Sequence, residues 1–345
     1  MRLPRNLHRL SVGALAGLLG LLTTAAAATH DLYLCAAFNN GSRVMGSNDG
    51  SSNGLFARTA DGFRHVGINY PLAISATCDP RDAQVIYVAC LSGVLRTLDG
   101  GKSWRLVTGW DETEPKSIAV DFHAPDHVFT GLPDGIVVSR DRGQTWQRRE
   151  RGLPERGKYT QVVRADRTRK GRVLIGCESG IYLTENGADS WRRLLATKET
   201  VDDIQQSPHD PQRWIAVTQS AGALESRDGG VTWKKIPGLP ADKALYNVAF
   251  DARDPRRLAV ASWSHGLLVS EDGGTTWAPR NAGLPGEGTP RAWRTAIDPD
   301  TGAIYAAIFG EGLYTSGDTG RSWHAVAGME GASVQTFTFV PTVNR

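Results

Sequence analysis

An all-β fold, a seven-bladed β-propeller, is what this sequence predicts, and three observations predict it. Six copies of an eight-residue box, Ser/Thr-x-Asp/Asn-x-Gly/Ala-x-Ser/Thr-Trp, stand at Thr97–Trp104, Ser139–Trp146, Thr184–Trp191, Ser226–Trp233, Ser270–Trp277 and Ser316–Trp323. Their closing tryptophans are 42 to 46 residues apart, a period that belongs to radial or solenoidal arrays. Between boxes lie short apolar runs broken by Gly, Pro and Asp, which is the pattern of antiparallel strands and hairpins.

The chain is taken from its beginning. Arg2, Arg5 and Arg9 precede the apolar run Val12–Leu22 and the small, Ala-rich stretch Thr23–Thr29, the layout of a secretory leader rather than a membrane span. Cleavage near Ala27 or Ala28 is expected, leaving residues 29–345 as one propeller domain, periplasmic or secreted, with no transmembrane segment. The whole chain carries 39 basic and 36 acidic residues, and the leader holds three of the basic ones and no acid. The mature balance is therefore neutral, so nothing in the charge points to nucleic acid or an anionic membrane. Cys35, Cys78, Cys90 and Cys177 form no Cys-x-x-Cys. A Cys35–Cys78 bridge is compatible with export, but buried free thiols in strands are the preferred reading.

Each repeat predicts four strands. In the unit Ala241–Pro285 an inner run (Tyr246–Phe250) is followed by the turn Asp251–Arg257 and a second run (Leu258–Ser262). The short turn Ser264-His265-Gly266, a third run (Leu267–Ser270), the box and a last short run complete it. A seventh unit is worn: residues Gly54–Gly62 match a third strand and early box but lack the Gly-x-Ser/Thr-Trp half. Its inner strand is missing at the N-terminal side, while Gly331–Pro341 is an inner strand with no blade after it. Ser333–Val340 is therefore expected to close the ring as the innermost strand of blade 1, leaving no open edge there. The turn Asn39–Asn53 is longer than its counterparts and suits a flap or a disordered loop.

The boxes have a structural explanation. Their Asp can accept backbone N–H groups ahead of it, their Gly can take positive φ, and their Trp can bury a large surface. Asp99 and Trp104, Asp141 and Trp146, Asn186 and Trp191, Asp228 and Trp233, Asp272 and Trp277, and Asp318 and Trp323 are accordingly assigned to the scaffold. Spread around a ring, these carboxylates do not converge on one ion as a hard metal requires.

These boxes resemble the Asp-box, or BNR, repeat of sialidases, two-domain xyloglucan hydrolases, sortilin-type receptors and the photosystem II assembly-factor group. Together with the Gly-Leu-Pro segments at Gly152, Gly238 and Gly283, they are most similar to the assembly-factor and bacterial BNR-repeat group. The resemblance implies a propeller more strongly than any one activity. It implies no sialidase: the sole Arg-Leu-Pro is Arg2-Leu3-Pro4, inside the leader, and seven units are predicted rather than six. Xyloglucan hydrolases of this type pair two propellers, and this chain has length for one.

Ligands of propellers commonly meet the face opposite the boxes, where turns between second and third strands join the blade-to-blade connections. Trp110, Trp263 and Trp293 map there, with Asp111, Glu112, Glu114, Tyr159, Tyr246, His265, Arg291, Arg294 and Glu311 around them. Trp214 maps to the start of a second strand and reads as packing. Aligned inner strands put Ser75, Ser117, Gln161, Asp203, Asn247, Arg294 and Gln335 at one polar level, for which hydrogen bonding between blades is the preferred role. Trp, Tyr and Arg suit protein or glycan binding, whereas Asp203, Glu178 or Glu311 would be the acid and base of a glycosidase. His265 has no second His at ligand spacing, so no metal or cofactor is expected, and Arg148–Arg151 reads as solvated charge. The first expectation is an exported non-catalytic propeller that binds a partner protein or ligand, as an assembly-factor-like scaffold. The alternative is a carbohydrate-active hydrolase or lyase.

Overall fold

The computed structural model describes residues 29–38, 53–70 and 72–342; the expected leader and most of the long turn after Phe38 lie outside them. The described residues form seven four-stranded antiparallel sheets, the blades of one ring. Blade 6 shows the pattern: Leu245–Phe250 is innermost, Leu258–Ser262 and Gly266–Ser270 follow, and Ala278–Pro279 is outermost. Blades 2 to 7 each run from inside to outside along the chain. Blade 1 is assembled from both ends, with Ala332–Pro341 innermost, then His30–Phe38, Asn53–Thr59 and Gly62–Val66. Nine residue pairs from His30↔Pro341 to Phe38↔Ala332 join the two chain ends.

Second and third strands read as unbroken apolar runs because a neighbouring sheet covers each face. The cores accordingly lie between blades. Phe129, Ile136 and Val138 of blade 3 pack on Val163, Ile175, Tyr182 and Trp191 of blade 4. Across the join, Tyr305, Ala307 and Leu313 of blade 7 pack on Leu32, Leu34, Phe56 and Val334 of blade 1. All four cysteines are free; Cys35 and Cys90 belong to the core between blades 1 and 2, and the Cys35–Cys78 bridge is not formed. Trp214 is fully buried, its indole N–H donating to the Pro211 carbonyl at 3.1 Å.

The box is a self-contained hydrogen-bonded clasp. In blade 6 the Ser270 hydroxyl donates to Asp272 at 2.9 Å and accepts the Gly274 N–H at 2.8 Å. Asp272 then accepts the N–H of Thr276 at 2.9 Å and its hydroxyl at 2.6 Å, and the Trp277 indole donates to the Gly274 carbonyl at 3.1 Å. Gly274 sits at φ 93°, where a side chain is strained. The third box departs from the pattern at this position: Ala188 replaces Gly and holds φ 70°. Its Trp191 indole donates instead to the Arg149 carbonyl of the preceding blade at 2.7 Å.

A second repeat of carboxylates escapes the box pattern. Asp79, Asp121, Asp166, Asp251 and Asp298 are buried at inner-strand ends, each accepting the N–H two residues ahead, with Ser207 in that role in blade 5. Arginine neutralises four of them, in the pairs Arg81–Asp79, Arg172–Asp166, Arg257–Asp251 and Arg58–Asp298.

Two outcomes are expected. Ser226→Ala removes the acceptor of the buried Gly230 N–H, the equivalent bond in blade 5, and should cost about 1–3 kcal/mol of stability, read by urea denaturation. Bonds from the hydroxyl and N–H of Ser103, Thr232 and Thr276 hold Asp99, Asp228 and Asp272 down at about 2. Because the folded pKa lies below the unfolded value of roughly 3.9, their contribution is present above pH ~4 and is lost as pH falls toward 2. Thermal melts across that window should show midpoints falling steadily with acid.

Candidate functional site

The face opposite the boxes is shaped by a repeated β-bulge. At the upper end of the inner strands the pairing register shifts between Thr160 and Val162, Val201 and Asp203, Leu245 and Asn247, and Ala292 and Arg294; blade 1 repeats the shift opposite Cys35 and Ala36. The extra residues are Gln161, Asp202, Tyr246, Trp293 and Gln335. A bulge sets two residues opposite one and re-aims a side chain, so each of these blades presents one more group at the channel mouth.

This corrects the polar level in two places. Asp203, Asn247 and Arg294 pair with Val217, Ala261 and Ala307, and Ser75 and Ser117 with Ala89 and Gly131. In that register the counterparts in blades 4 and 1 are Val162 and Thr336. Gln161 and Gln335 are bulge residues one step higher, an offset that a sequence alignment without the extra residue cannot see. All seven residues nevertheless line one central cavity of about 550 Å³.

Most of the level ties blade to blade. Ser75 accepts the Ile118 N–H at 3.3 Å, Ser117 the Val163 N–H at 3.1 Å, and Asp203 the Val248 N–H at 3.3 Å. Asn247 donates to the Thr295 carbonyl at 2.7 Å and accepts its N–H at 2.9 Å, while Arg294 donates to the Gln335 carbonyl at 2.9 Å. Asp203 is also paired with Arg164 at 3.0 Å and bonded to Gln205. Its carboxylate is occupied.

Asp202, which the sequence reading passed over, is not. Its Oδ2 is buried without a hydrogen-bond partner. Burial pushes its carboxyl up to about 7, with Arg294 pulling against that shift and Asp203 reinforcing it. Desolvation in turn lowers the Arg294 pKa, opposed by the fields of Asp203 and Asp202. The Arg294 guanidinium lies 4.6 Å from the Trp293 ring centre.

Beside this pair the structure gathers an aromatic cluster. Tyr246 and Trp293 are 4.7 Å apart, Trp263 and Trp293 6.1 Å, and Trp263 and Phe309 4.9 Å between ring centres. Arg291 lies 5.3 Å from the Trp263 ring and 5.5 Å from Phe309, within cation–π range. Five expected residues thus come together: Trp263, Trp293, Tyr246, Arg291 and Arg294. Phe309 was missed, although it occupies in blade 7 the position Trp263 holds in blade 6, directly after the second strand.

Others stand apart. Trp110 is 91% exposed in the connection between blades 2 and 3 and makes no ring contact with the cluster. Tyr159, before blade 4, has the Lys116 ammonium 5.8 Å from its ring. His265 lies in the blade 6 turn, where its carbonyl accepts from Asn281 at 2.9 Å and its Nδ1 is buried without a partner. Glu178 and Glu311 sit in the corresponding turns of blades 4 and 7, and neither lines the central cavity. Among the described residues no three His, Cys, Asp or Glu side chains converge as a metal site, and no helix is long and apolar enough to cross a membrane.

Known proteins share this architecture. The model of a family described as photosynthesis system II assembly factor YCF48 matches residues 73–210, and no curated protein matches. Among solved structures, the GH74 xyloglucanase from Xanthomonas campestris is similar at TM-score 0.63 and 18% identity, over 87% of this chain and 55% of that one. This chain spans about half the length of that enzyme. A structure of YCF48 bound to D1 peptide is similar at TM-score 0.55 and 17% identity, over 78% of this chain and 93% of that one. YCF48 from Cyanidioschyzon merolae is similar at TM-score 0.55 and 19% identity, over 73% and 84% of the two chains. The chain is a seven-bladed β-propeller that over residues 73–210 is similar to the photosystem II assembly-factor family.

Proposed function

We propose that this protein is an exported, non-catalytic propeller that binds a segment of a partner protein at the channel mouth, as an assembly factor does. The observation that carries the reading is the cluster of Trp263, Trp293, Tyr246 and Phe309 capped by Arg291 and Arg294. Large rigid rings interleaved with guanidinium groups are the usual anchors of protein recognition. They lose little side-chain entropy on binding, and the Arg donors can meet backbone carbonyls or carboxylates of an extended segment. The peptide held by the structurally similar YCF48 supports the same class of ligand.

A glycosidase reading is favoured by one observation, the Asp202 carboxyl at about 7, a value suited to a general acid. A glycosidase needs a second carboxylate about 5 to 9 Å away across the bond. Of the other carboxylates lining the cavity, Asp203 is engaged by Arg164 and Asp300 by Thr29 and His30, and Glu178 and Glu311 do not line it. Asp202 therefore has no free partner there, and the binding reading is preferred.

Trp263→Ala and Arg294→Ala should each weaken capture of the partner by tenfold or more, a loss of about 2 kcal/mol typical of an anchor. Trp110→Ala should leave it nearly unchanged. Affinity capture from the export compartment, followed by titration of the recovered partner, reads both; release of reducing ends from xyloglucan that Asp202→Asn abolishes would sink the binding reading. A second outcome concerns pH. The folded pKa of Asp202 lies above its unfolded value, so its contribution to stability is full below pH ~4 and is lost as pH rises through 7. Asp202→Asn should therefore gain in melting temperature relative to the unsubstituted protein between pH 5 and 8, measured by paired thermal melts.

A further inference from the structure

At the opposite end of the channel Thr29, the first described residue, is held to one carboxylate by both its N–H and its hydroxyl. Asp300, in the turn between the first two strands of blade 7, accepts the Thr29 N–H at 2.8 Å and the Thr29 hydroxyl at 2.5 Å. It also accepts the His30 N–H at 2.9 Å and contacts the His30 Nδ1 at 2.8 Å. The Thr29 carbonyl in turn accepts the Thr342 N–H at 2.7 Å. Blade 7, the start of blade 1 and the end of the closing strand thus meet at Thr29.

The carboxylate here has no arginine among the described residues. The four neighbouring inner-strand carboxylates that are ion-paired each have an arginine, but Asp300 has none; His30, charged only when protonated, is its sole cationic partner among the described residues. Its side chain is only 12% exposed, and against that burial the Thr29 and His30 bonds hold its carboxyl down at about 2, a charged state that a cation at the same place strengthens. Thr29 follows the Ala-rich stretch that ends the expected leader, with Ala26 and Ala28 at the small-residue positions a leader peptidase requires.

We infer that the chain is processed between Ala28 and Thr29, and that the new α-ammonium of Thr29 forms an ion pair with Asp300 that locks the closed ring. The step is a peptide-bond hydrolysis by an export-compartment leader peptidase. The Ala28 C–N bond breaks, water supplies hydroxyl to the Ala28 carboxyl, and the freed Thr29 nitrogen takes protons to become an ammonium. Before cleavage that nitrogen is a neutral amide giving Asp300 one hydrogen bond. Afterwards it gives a charge-assisted bond at the same place, which is the stronger kind. Cleavage one residue earlier would leave the charge on Ala28, displaced by a full residue, about 3.8 Å along the chain, from the position that faces Asp300.

Intact mass and N-terminal sequencing of the protein recovered from the export compartment test the site: Thr29 as first residue is expected, and any other first residue overturns the inference. The lock is tested on two purified forms, one beginning at Thr29 and one retaining Ala28. The Thr29 form should melt about 2 °C higher, the size of shift one added charge-assisted contact gives in a domain of this length, and equal melting temperatures overturn the lock. In Asp300→Asn the gap between the two forms should close, and a gap that persists also overturns it. The first comparison needs no substitution at Asp300, so it remains decisive even where that variant folds poorly.

Discussion

A blade of this ring buries both faces only because another blade stands on each side, and the circle that supplies those neighbours is joined at one noncovalent place. The pairing of Ala332–Pro341 with His30–Phe38 makes blade 1 from the two ends of the chain. The cores on both sides of blade 1, such as Tyr305 against Leu34 and Cys35 against Val88, are built on it. Opening that strand pair would expose a sheet edge and the apolar sides of two blades together. Thr29, Asp300 and Thr342 gather polar contacts at this same join, which places extra bonding where the ring has no covalent continuity.

Scaffold and site use the same residue types for opposite ends. Box carboxylates are saturated by local donors and sit well below their ordinary pKa, so they are spent on holding hairpins. Asp203 is likewise used up between blades, by Val248 and Arg164. Among the described residues at the channel mouth, Asp202 keeps a buried oxygen without a partner, next to the aromatic cluster and Arg294. A buried polar group left unsatisfied is costly, and such costs concentrate where ligands bind. The two aspartates are adjacent on one strand, yet Asp203 stays in the ladder and is tied between blades while Asp202 is the extra, unpaired residue of the bulge.

How much was legible follows from how far apart the interacting residues are. The box is local: Ser270, Asp272, Gly274 and Trp277 bond within eight residues, so its repetition exposed the blades, their number and the worn first unit. The second set of carboxylates, such as Asp251, was less visible because its neutralising arginine sits at varying distances, in Asp298 as far away as Arg58. The site was half legible. Trp263, Trp293 and Arg294 could be grouped on one face, where the structure brings them together, but Phe309 and Asp202 were passed over and Trp110 was grouped with residues it does not meet.

By itself, then, the sequence determined the period, the strand order within each blade and the face on which unrepeated residues stand, because those depend on hydrogen bonds and alternation within one unit. Only the tertiary structure decided which of those residues share a site. One extra residue at the top of an inner strand shifts its neighbours from one facing to another, and curvature of the ring brings blades 5, 6, 7 and 1 together at the mouth while holding Trp110 of the blade 2–3 connection apart. The residues concerned, Asp202, Tyr246, Trp293 and Gln335, are each more than 40 positions from the next. Their meeting is a property of closure.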